Sequence, residues 1–150
     1  MSIKEALNYL DYLLSDSSRK SEIKVYQEFI EILNGVKQRD LSATEIQAIE
    51  AELQALELKS TEANKARYFK KALRRFIKFL KEEFSLTPKE YYTKLGIALG
   101  ASFGVLVGIV FLSSLERSMG IALGISIGML VGLLVGKTMD SQAKASGKMV

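Results

Sequence analysis

Several residue types that carry common protein chemistry are absent from this chain of 150 residues. It has no cysteine, which excludes disulfides, thiolate metal sites and cysteine nucleophiles. It has no histidine, the side chain most often used as a general base or a metal ligand. Gly136-Lys137-Thr138 is not a phosphate loop, because Val131 stands where that motif needs its first glycine. We therefore expect no enzymatic activity, no catalytic residues, no cofactor and no metal.

Glycine is concentrated in the last third of the chain, where nine of the 11 glycines recur at every fourth residue. They lie in two uncharged blocks of 18 residues each, 95–112 and 119–136. A helix of that length spans about 27 Å, close to the hydrocarbon thickness of about 30 Å. The pattern predicts a transmembrane helical hairpin over residues 87–140. Its helix-packing residues are Gly96, Gly100, Gly104, Gly108, Gly120, Gly124, Gly128, Gly132 and Gly136.

Glycine inside a membrane helix lets two backbones approach closely. In one interpretation, all these glycines close the hairpin of a monomer. In the other, which is the leading interpretation, the GxxxG repeats also join copies into a homo-oligomer. A second row of small residues lies beside each stripe, with Ala98 and Ser102 in the first block and Ala122 and Ser126 in the second. In this interpretation one of the two rows on each helix closes the hairpin and the other meets a neighbouring subunit.

The glycine repeats and the closing segment 132–147 resemble the small bacterial glycine-zipper membrane proteins that have two transmembrane helices. The resemblance covers about residues 95–147 and leaves residues 1–84 unexplained. It implies helix packing through the glycines in a bacterial inner membrane, and it implies no particular activity. The chain departs from the lipoprotein members of that group, because it has no cysteine for lipid attachment.

Charge is distributed unevenly along the chain. Residues 1–60 carry seven basic and eleven acidic side chains, a net charge of −4, whereas residues 61–94 carry ten and four, a net charge of +6. Residues 95–150 carry four and two, a net charge of +2. Basic residues flank membrane helices on the cytoplasmic side. We therefore predict a multi-pass protein of the cytoplasmic (inner) membrane with both termini in the cytoplasm.

Apolar residues at helical spacing predict an all-α cytoplasmic domain of about four helices over residues 1–86. Its first two helices are expected at about 3–14 and 19–37. Ser42 and Glu45 have the spacing of a capping box, which predicts the start of the third helix.

The first membrane helix is expected to begin at Pro88. Thr87, Pro88 and Glu90 have the spacing of an N-cap residue, a first helical residue and the acidic partner of a capping box. The second membrane helix is expected to run from about Ser118 to Asp140 or slightly beyond, and residues 141–150 are expected to form a polar cytoplasmic tail that is helical or frayed.

The fourth helix of the domain, expected at about 61–84, combines an apolar face with many basic residues. Phenylalanine opposite lysine and arginine is typical of a helix at a lipid headgroup surface. We predict contact with anionic headgroups; the alternative is a solvated bundle helix whose charges only set the topology. No nucleic-acid partner is expected, because the tether to a bilayer makes lipid phosphate the nearer polyanion. The predicted headgroup residues are Lys70, Lys71, Arg74, Arg75, Lys78 and Lys81.

Two functions are compatible with these features. The first is a homo-oligomer that forms a channel or a membrane-permeabilising pore. The alternative is a non-conducting, membrane-anchored adaptor that recruits a cytoplasmic protein partner through exposed apolar faces of its first three helices. Neither apolar block contains an ionisable residue, which argues against an ion-coupled carrier.

Overall fold

A computed structural model describes residues 1–59, 65–111 and 117–150. Within these ranges the chain forms six helices and no strand, which confirms the predicted all-α class of four helices followed by two. The chain divides into two compact units, one of Met1–Leu86 with Val150 and one of Thr87–Met149. The helices are α1 (Ile3–Asp16), α2 (Lys20–Lys37), α3 (Ala43–Ala55), α4 (Lys65–Phe84), α5 (Tyr91–Phe111) and α6 (Arg117–Ala145).

Capping boxes begin two helices of the first unit. At α3, the hydroxyl of Ser42 accepts a hydrogen bond from the N–H of Glu45 at 3.3 Å, and the carboxylate of Glu45 accepts one from the N–H of Ser42 at 2.8 Å, as predicted. The N–H of Ser42, followed by its hydroxyl at 2.7 Å, donates to the Glu45 carboxylate, and these two hydrogen bonds lower the pKa of that carboxyl. Ser2 and Glu5 form the same motif at α1. Each of these helices begins where otherwise orphaned amide groups find partners.

The core of the first unit contains aromatic side chains from α2 and α4. Tyr26 packs edge-on against Phe69 with ring centroids 4.9 Å apart, and Phe29 packs against Phe76 at 5.4 Å. All four side chains are buried. The apolar face of α4 therefore faces its own domain, and the prediction that this face lies at a lipid surface is wrong. The first residues of the predicted helix, 61–64, lie outside the described residues.

The apolar faces of the first three helices are also covered. Leu10 of α1, Leu33 of α2 and Leu53 of α3 are fully buried in the same core. The expectation that these faces stay exposed for a partner is wrong, because the helices of the bundle bury one another's apolar sides.

The start of α5 differs from the sequence prediction. The helix begins at Tyr91, and Glu90 before it has a left-handed backbone with a φ of 59°. The N–H of Thr87 donates to the carbonyl oxygen of Lys148 at 2.9 Å, next to an isolated parallel β-bridge. Thr87 thus pairs with the C-terminal segment instead of capping a helix. The predicted helix start at Pro88 is wrong, because the left-handed backbone of Glu90 separates Pro88 from the helix and the buried hydroxyl of Thr87 caps no amide group among the described residues.

The last helix, α6, is 29 residues long and ends at Ala145. The first half of the segment 141–150 therefore continues the helix, which is the helical form of the two expected for this segment. Beyond it, Gly147 has a φ of 66°, and the N–H of Lys148 donates to the carbonyl oxygen of Ala143 at 2.8 Å. This turn closes the end of α6.

The hydroxyl group of Tyr26 gives the first testable prediction. It is buried and has no hydrogen-bond partner among the described residues. A buried, unpaired polar group costs about 1–3 kcal/mol, so Tyr26→Phe should stabilise the first unit by up to that amount while keeping the ring contact with Phe69. Differential scanning calorimetry of the full chain in detergent measures the change. The exposed Tyr12→Phe is the matched control and should leave the transition unchanged.

The same substitution changes how stability depends on pH. Burial, followed by the charge of Glu22 and by Tyr9, raises the pKa of Tyr26 above its ordinary value of 10.0. The unfolded chain therefore loses this proton first, and the wild-type protein should lose stability as the pH rises above about 10. Tyr26→Phe should lack this component of the loss. Equal pH dependence in both proteins would contradict the burial of an ionisable hydroxyl.

Candidate functional site

The nine predicted packing glycines all lie between α5 and α6, along a line of contact that we call the glycine seam. A Cβ atom placed on Gly104 would overlap the carbonyl oxygen of Gly124, and one placed on Gly124 would overlap the carbonyl oxygen of Gly104. The same reciprocal contact joins Gly100 to Gly128. The two backbones therefore touch, and no larger residue fits at these positions.

The seam extends along most of the hairpin. Gly96 and Gly132 repeat the reciprocal contact of their neighbours. At the end nearest the connecting loop, a Cβ atom on Gly108 would lie 2.6 Å from the carbonyl oxygen of Gly120. At the other end, a Cβ atom on Gly136 would lie 2.5 Å from the Cα of Thr93. From residue 93 to residue 108 of α5 the contact spans about 22 Å.

Both stripes of glycine are thus used within one chain. The glycine stripes therefore close the hairpin, which leaves the second rows of small residues for the expected contact with a neighbouring subunit. Each reciprocal pair of glycines places a Cα hydrogen against a carbonyl oxygen of the other helix, the arrangement of a weak Cα–H···O hydrogen bond worth about 0.5–1 kcal/mol. Self-association through other surfaces remains a prediction.

Asp140 closes the end of the hairpin where α5 begins and α6 ends, which we call the open end. Its Oδ1 accepts a hydrogen bond from the N–H of Tyr92 at 3.0 Å, and its Oδ2 accepts one from the N–H of Thr93 at 2.9 Å. The residue is only 8% exposed. The first amide groups of a helix have no partner within the helix, and its N-terminus favours a negative charge. A carboxylate from α6 thus caps α5.

Sequence reasoning missed this cap, because Asp140 is far from Tyr92 along the chain. The signal that could have found it is the glycine register: Gly136 faces residue 93, so the next turn of α6 lies beside the first amide groups of α5.

The second row of small residues remains exposed on the outer sides of the two helices. We call Ala98 with Ser102 on α5, and Ala122 with Ser126 on α6, the outer rows. The hydroxyl of Ser102 donates to the carbonyl oxygen of Ala98 at 3.0 Å, and that of Ser126 donates to the carbonyl oxygen of Ala122 at 2.8 Å. Both hydroxyls are satisfied within their own helix, so each outer row is a shallow, apolar surface.

An apolar groove of about 540 Å³ runs along one side of the hairpin. The seam glycines form its floor, and bulky side chains of both helices form its walls. The wall residues are Leu99, Phe103 and Val107 on α5, and Ile127, Val131 and Val135 on α6.

The predicted headgroup residues lie on α4, opposite its buried phenylalanines. Arg75 is engaged by Glu52, whose Oε1 lies 2.8 Å from its Nε, and Lys78 lies 3.7 Å from Glu82. Lys81 is partly buried, and the other five of these basic residues are exposed. The exposed side of α4 therefore carries the basic charge, although its apolar side is unavailable to lipid. The basic residues are Lys70, Lys71, Arg74, Arg75, Lys78 and Lys81.

Two helices of the structure are long and apolar enough to cross a membrane. They are Tyr91–Val110 of α5 and Ser118–Ala145 of α6. Only 11% and 22% of their most apolar windows are buried, so neither resembles the covered core helix of a soluble protein. Among the described residues, no cluster of three or more Asp or Glu side chains is placed to hold a metal ion.

Comparison with known proteins finds no match: no family model, no curated protein and no solved structure is significantly similar to this chain. The resemblance to glycine-zipper membrane proteins is not tested by these comparisons and stays a prediction.

The cap at the open end gives the second prediction. Asp140→Ala should destabilise the hairpin by about 1.5–3 kcal/mol, the cost of losing hydrogen bonds to a charged group. Hydrogen–deuterium exchange should show faster exchange at the amide groups of Tyr92 and Thr93. Ser141→Ala, one residue further along α6 and exposed, is the control. Unchanged exchange at both amide groups in Asp140→Ala would rule out the cap.

The glycine seam gives the third prediction. Gly104→Ala should force the two helices apart, because its methyl group would overlap the Gly124 carbonyl, at a cost of about 1–3 kcal/mol. The chain has no cysteine, so spin labels can be attached to Lys94→Cys and Lys137→Cys alone. Double electron–electron resonance should show a longer or broader distance in the Gly104→Ala background.

The matched control for this experiment is Ser102→Ala, which lies on the same helix away from the seam. It should leave the distance unchanged. A distance distribution in Gly104→Ala identical to that of the wild type would show that the backbones do not touch at this position.

Proposed function

We propose that the protein is an integral membrane protein that assembles with copies of itself, and that the assembly forms a pore. In this proposal α5 and α6 span the cytoplasmic membrane, and both termini lie in the cytoplasm. The small buried share of the two helices supports the first part, because so much continuous apolar surface is unfavourable in water. The basic excess before α5 supports the orientation.

The observation that carries self-assembly is the position of the outer rows. Ser102 is two residues from both Gly100 and Gly104, and each residue advances about 100° around a helix. Ser102 therefore lies on the side of α5 opposite the seam. The same spacing from Gly124 and Gly128 places Ser126 on the side of α6 opposite the seam.

The two outer rows also lie at the same depth. Gly100 faces Gly128 and Gly104 faces Gly124, so Ser102 and Ser126, midway between them, are level with each other. A hairpin thus offers small residues on two opposite sides at one height. Small residues permit close helix contact in a membrane. Contact between the Ser102 side of one copy and the Ser126 side of the next is head-to-tail, and such contacts close into rings when the rotation allows.

In this proposal the pore is formed by a ring of several hairpins and not by a single hairpin. The seam between α5 and α6 is filled by backbone atoms, so no path runs through one chain. A ring of hairpins encloses a path lined by largely apolar side chains, the type of pore that a hydrophobic constriction gates.

The exposed side of α4 adds a second contact with the membrane. α4 ends at Phe84, and six residues separate it from α5, so in the proposed orientation its basic side chains are on the same side of the membrane as the cytoplasmic headgroups. Each basic residue near an anionic leaflet contributes about 1 kcal/mol, screened by salt. Because the phenylalanines are buried in the domain, this contact is electrostatic and does not involve insertion of the helix.

The fourth prediction tests assembly and conduction together. Ser102→Leu and Ser126→Leu should each lower the mass of the complex in nanodiscs, measured by native mass spectrometry, because a bulky side chain separates the outer rows. The exposed Ser141→Leu, outside the outer rows, is the matched control. In planar bilayers the wild-type protein should give discrete conductance steps that both outer-row variants reduce.

The outcomes separate the two parts of the proposal. A wild-type complex with the mass of one chain would exclude self-assembly. An oligomer that remains silent at all voltages and tensions would exclude the pore and keep the assembly. The adaptor alternative rested on exposed apolar faces that the bundle buries, and a stoichiometric cytoplasmic partner of a monomer would restore it.

A further inference from the structure

The apolar groove beside the glycine seam is a feature that the proposed assembly does not use. Its walls, formed by Leu99, Phe103 and Val107 of α5 facing Ile127, Val131 and Val135 of α6, are bulky, whereas its floor has no side chains at all. Its shape is therefore long and narrow. Phe103 is 65% exposed at the rim, so the groove opens towards the surroundings of the hairpin.

The length of the groove matches one leaflet of a bilayer. Its lining extends from Gly96 to Val107 on α5, a rise of about 16 Å. The hydrocarbon core of a bilayer is about 30 Å thick, so the groove covers about half of it. It begins beside Gly96 and Val135, near the open end of the hairpin. In the proposed orientation this half is the cytoplasmic leaflet.

The width and chemistry of the groove favour a hydrocarbon chain over another helix. A helix, about 10–12 Å wide with its side chains, would contact mainly the walls of the groove, whereas a thin hydrocarbon chain can also follow the floor, which has no side chains. The outer rows, which we assign to self-association, lie on other sides of α5 and α6. A volume of about 540 Å³ lies within the range of small-molecule sites, about 300–1,000 Å³, and the walls are aliphatic and aromatic.

Charge at the open end favours an anionic headgroup. The described part of the hairpin carries five lysines there, against Glu90 and Asp140, a net charge of +3. Asp140 is already engaged by the amide groups of α5. Lys137 lies two residues beyond the wall residue Val135 and is exposed. The five lysines are Lys89, Lys94, Lys137, Lys144 and Lys148.

We propose that the groove binds one acyl chain of an anionic phospholipid from the cytoplasmic leaflet, with its phosphate among the lysines of the open end. The inference rests on the proposed membrane-spanning orientation. Within that orientation, an unfilled apolar groove would leave its walls and floor without contact atoms, which costs dispersion energy. The lipid restores those contacts without parting the glycine seam, so it acts as a fixed part of the hairpin.

Electron paramagnetic resonance tests this lipid site. The full chain is reconstituted in phosphatidylcholine bilayers that contain a trace of phosphatidylglycerol spin-labelled on its acyl chain. The wild type should immobilise about one more lipid per chain than Val131→Trp, in which the indole occupies the groove. Leu130→Trp places the same indole at an exposed neighbouring position and should immobilise as many lipids as the wild type. The same label on phosphatidylcholine should show weaker immobilisation.

Co-flotation with the vesicles separates the possible failures. If the wild type does not float with the vesicles, the membrane-spanning proposal falls and the lipid site falls with it. If the protein floats but Val131→Trp immobilises as many lipids as Leu130→Trp, only the lipid site is overturned. Equal immobilisation of both headgroups overturns the anionic preference. If Val131→Trp lowers the mass of the complex while lipid immobilisation is unchanged, a second copy occupies the groove instead.

Discussion

The contact between two glycine backbones is the constraint on which the hairpin depends. Gly100 faces Gly128, and Gly104 faces Gly124. In each pair the Cα of one glycine lies against the carbonyl oxygen of the other, so that there is no room for even a methyl group. The absence of side chains then determines the rest of the surface. Bulky residues beside the seam rise above it and form a groove, and the small residues opposite the seam are left on the outside. One repeated residue thus produces an inner contact, a groove and two outer rows.

The two units reach stability by different physical means. In the first, large apolar side chains such as Phe29 and Phe76 fill a core, and the hydrophobic effect supplies most of the driving force. In the hairpin the large side chains point outwards, and the inner contact consists of backbone atoms. In water this arrangement would gain little stability from the hydrophobic effect, because few large apolar side chains are buried between the helices. It suits a membrane, where lipid covers the outer side chains and van der Waals packing drives helix contact. Asp140 adds two polar contacts at the open end of the hairpin, where its carboxylate caps α5.

Much of this structure could be predicted from residue spacing, and the failures have a common physical cause. Glycine periodicity and the capping box of Ser42 are local signals, and both elements form where they predict. The spacing of Thr87, Pro88 and Glu90 is an equally clear local signal, but a distant segment pairs with Thr87 and overrides it. The apolar face of α4 was identified correctly, whereas its partner was not. An amphipathic pattern predicts that the apolar face of a helix is covered, but only the tertiary structure shows whether lipid or another helix covers it.

The regularity of the glycine seam has a consequence for the alignment of its two helices. Because glycine recurs every four residues on both, sliding one helix along the other by four residues would again oppose glycine to glycine over most of the seam. The glycine repeat alone therefore allows several alignments of the two helices that have equivalent contacts. Asp140 breaks this degeneracy, since its carboxylate meets the free amide groups of Tyr92 and Thr93 in one alignment only. Asp140 alone thus fixes the alignment of two helices whose apolar contact is otherwise repetitive.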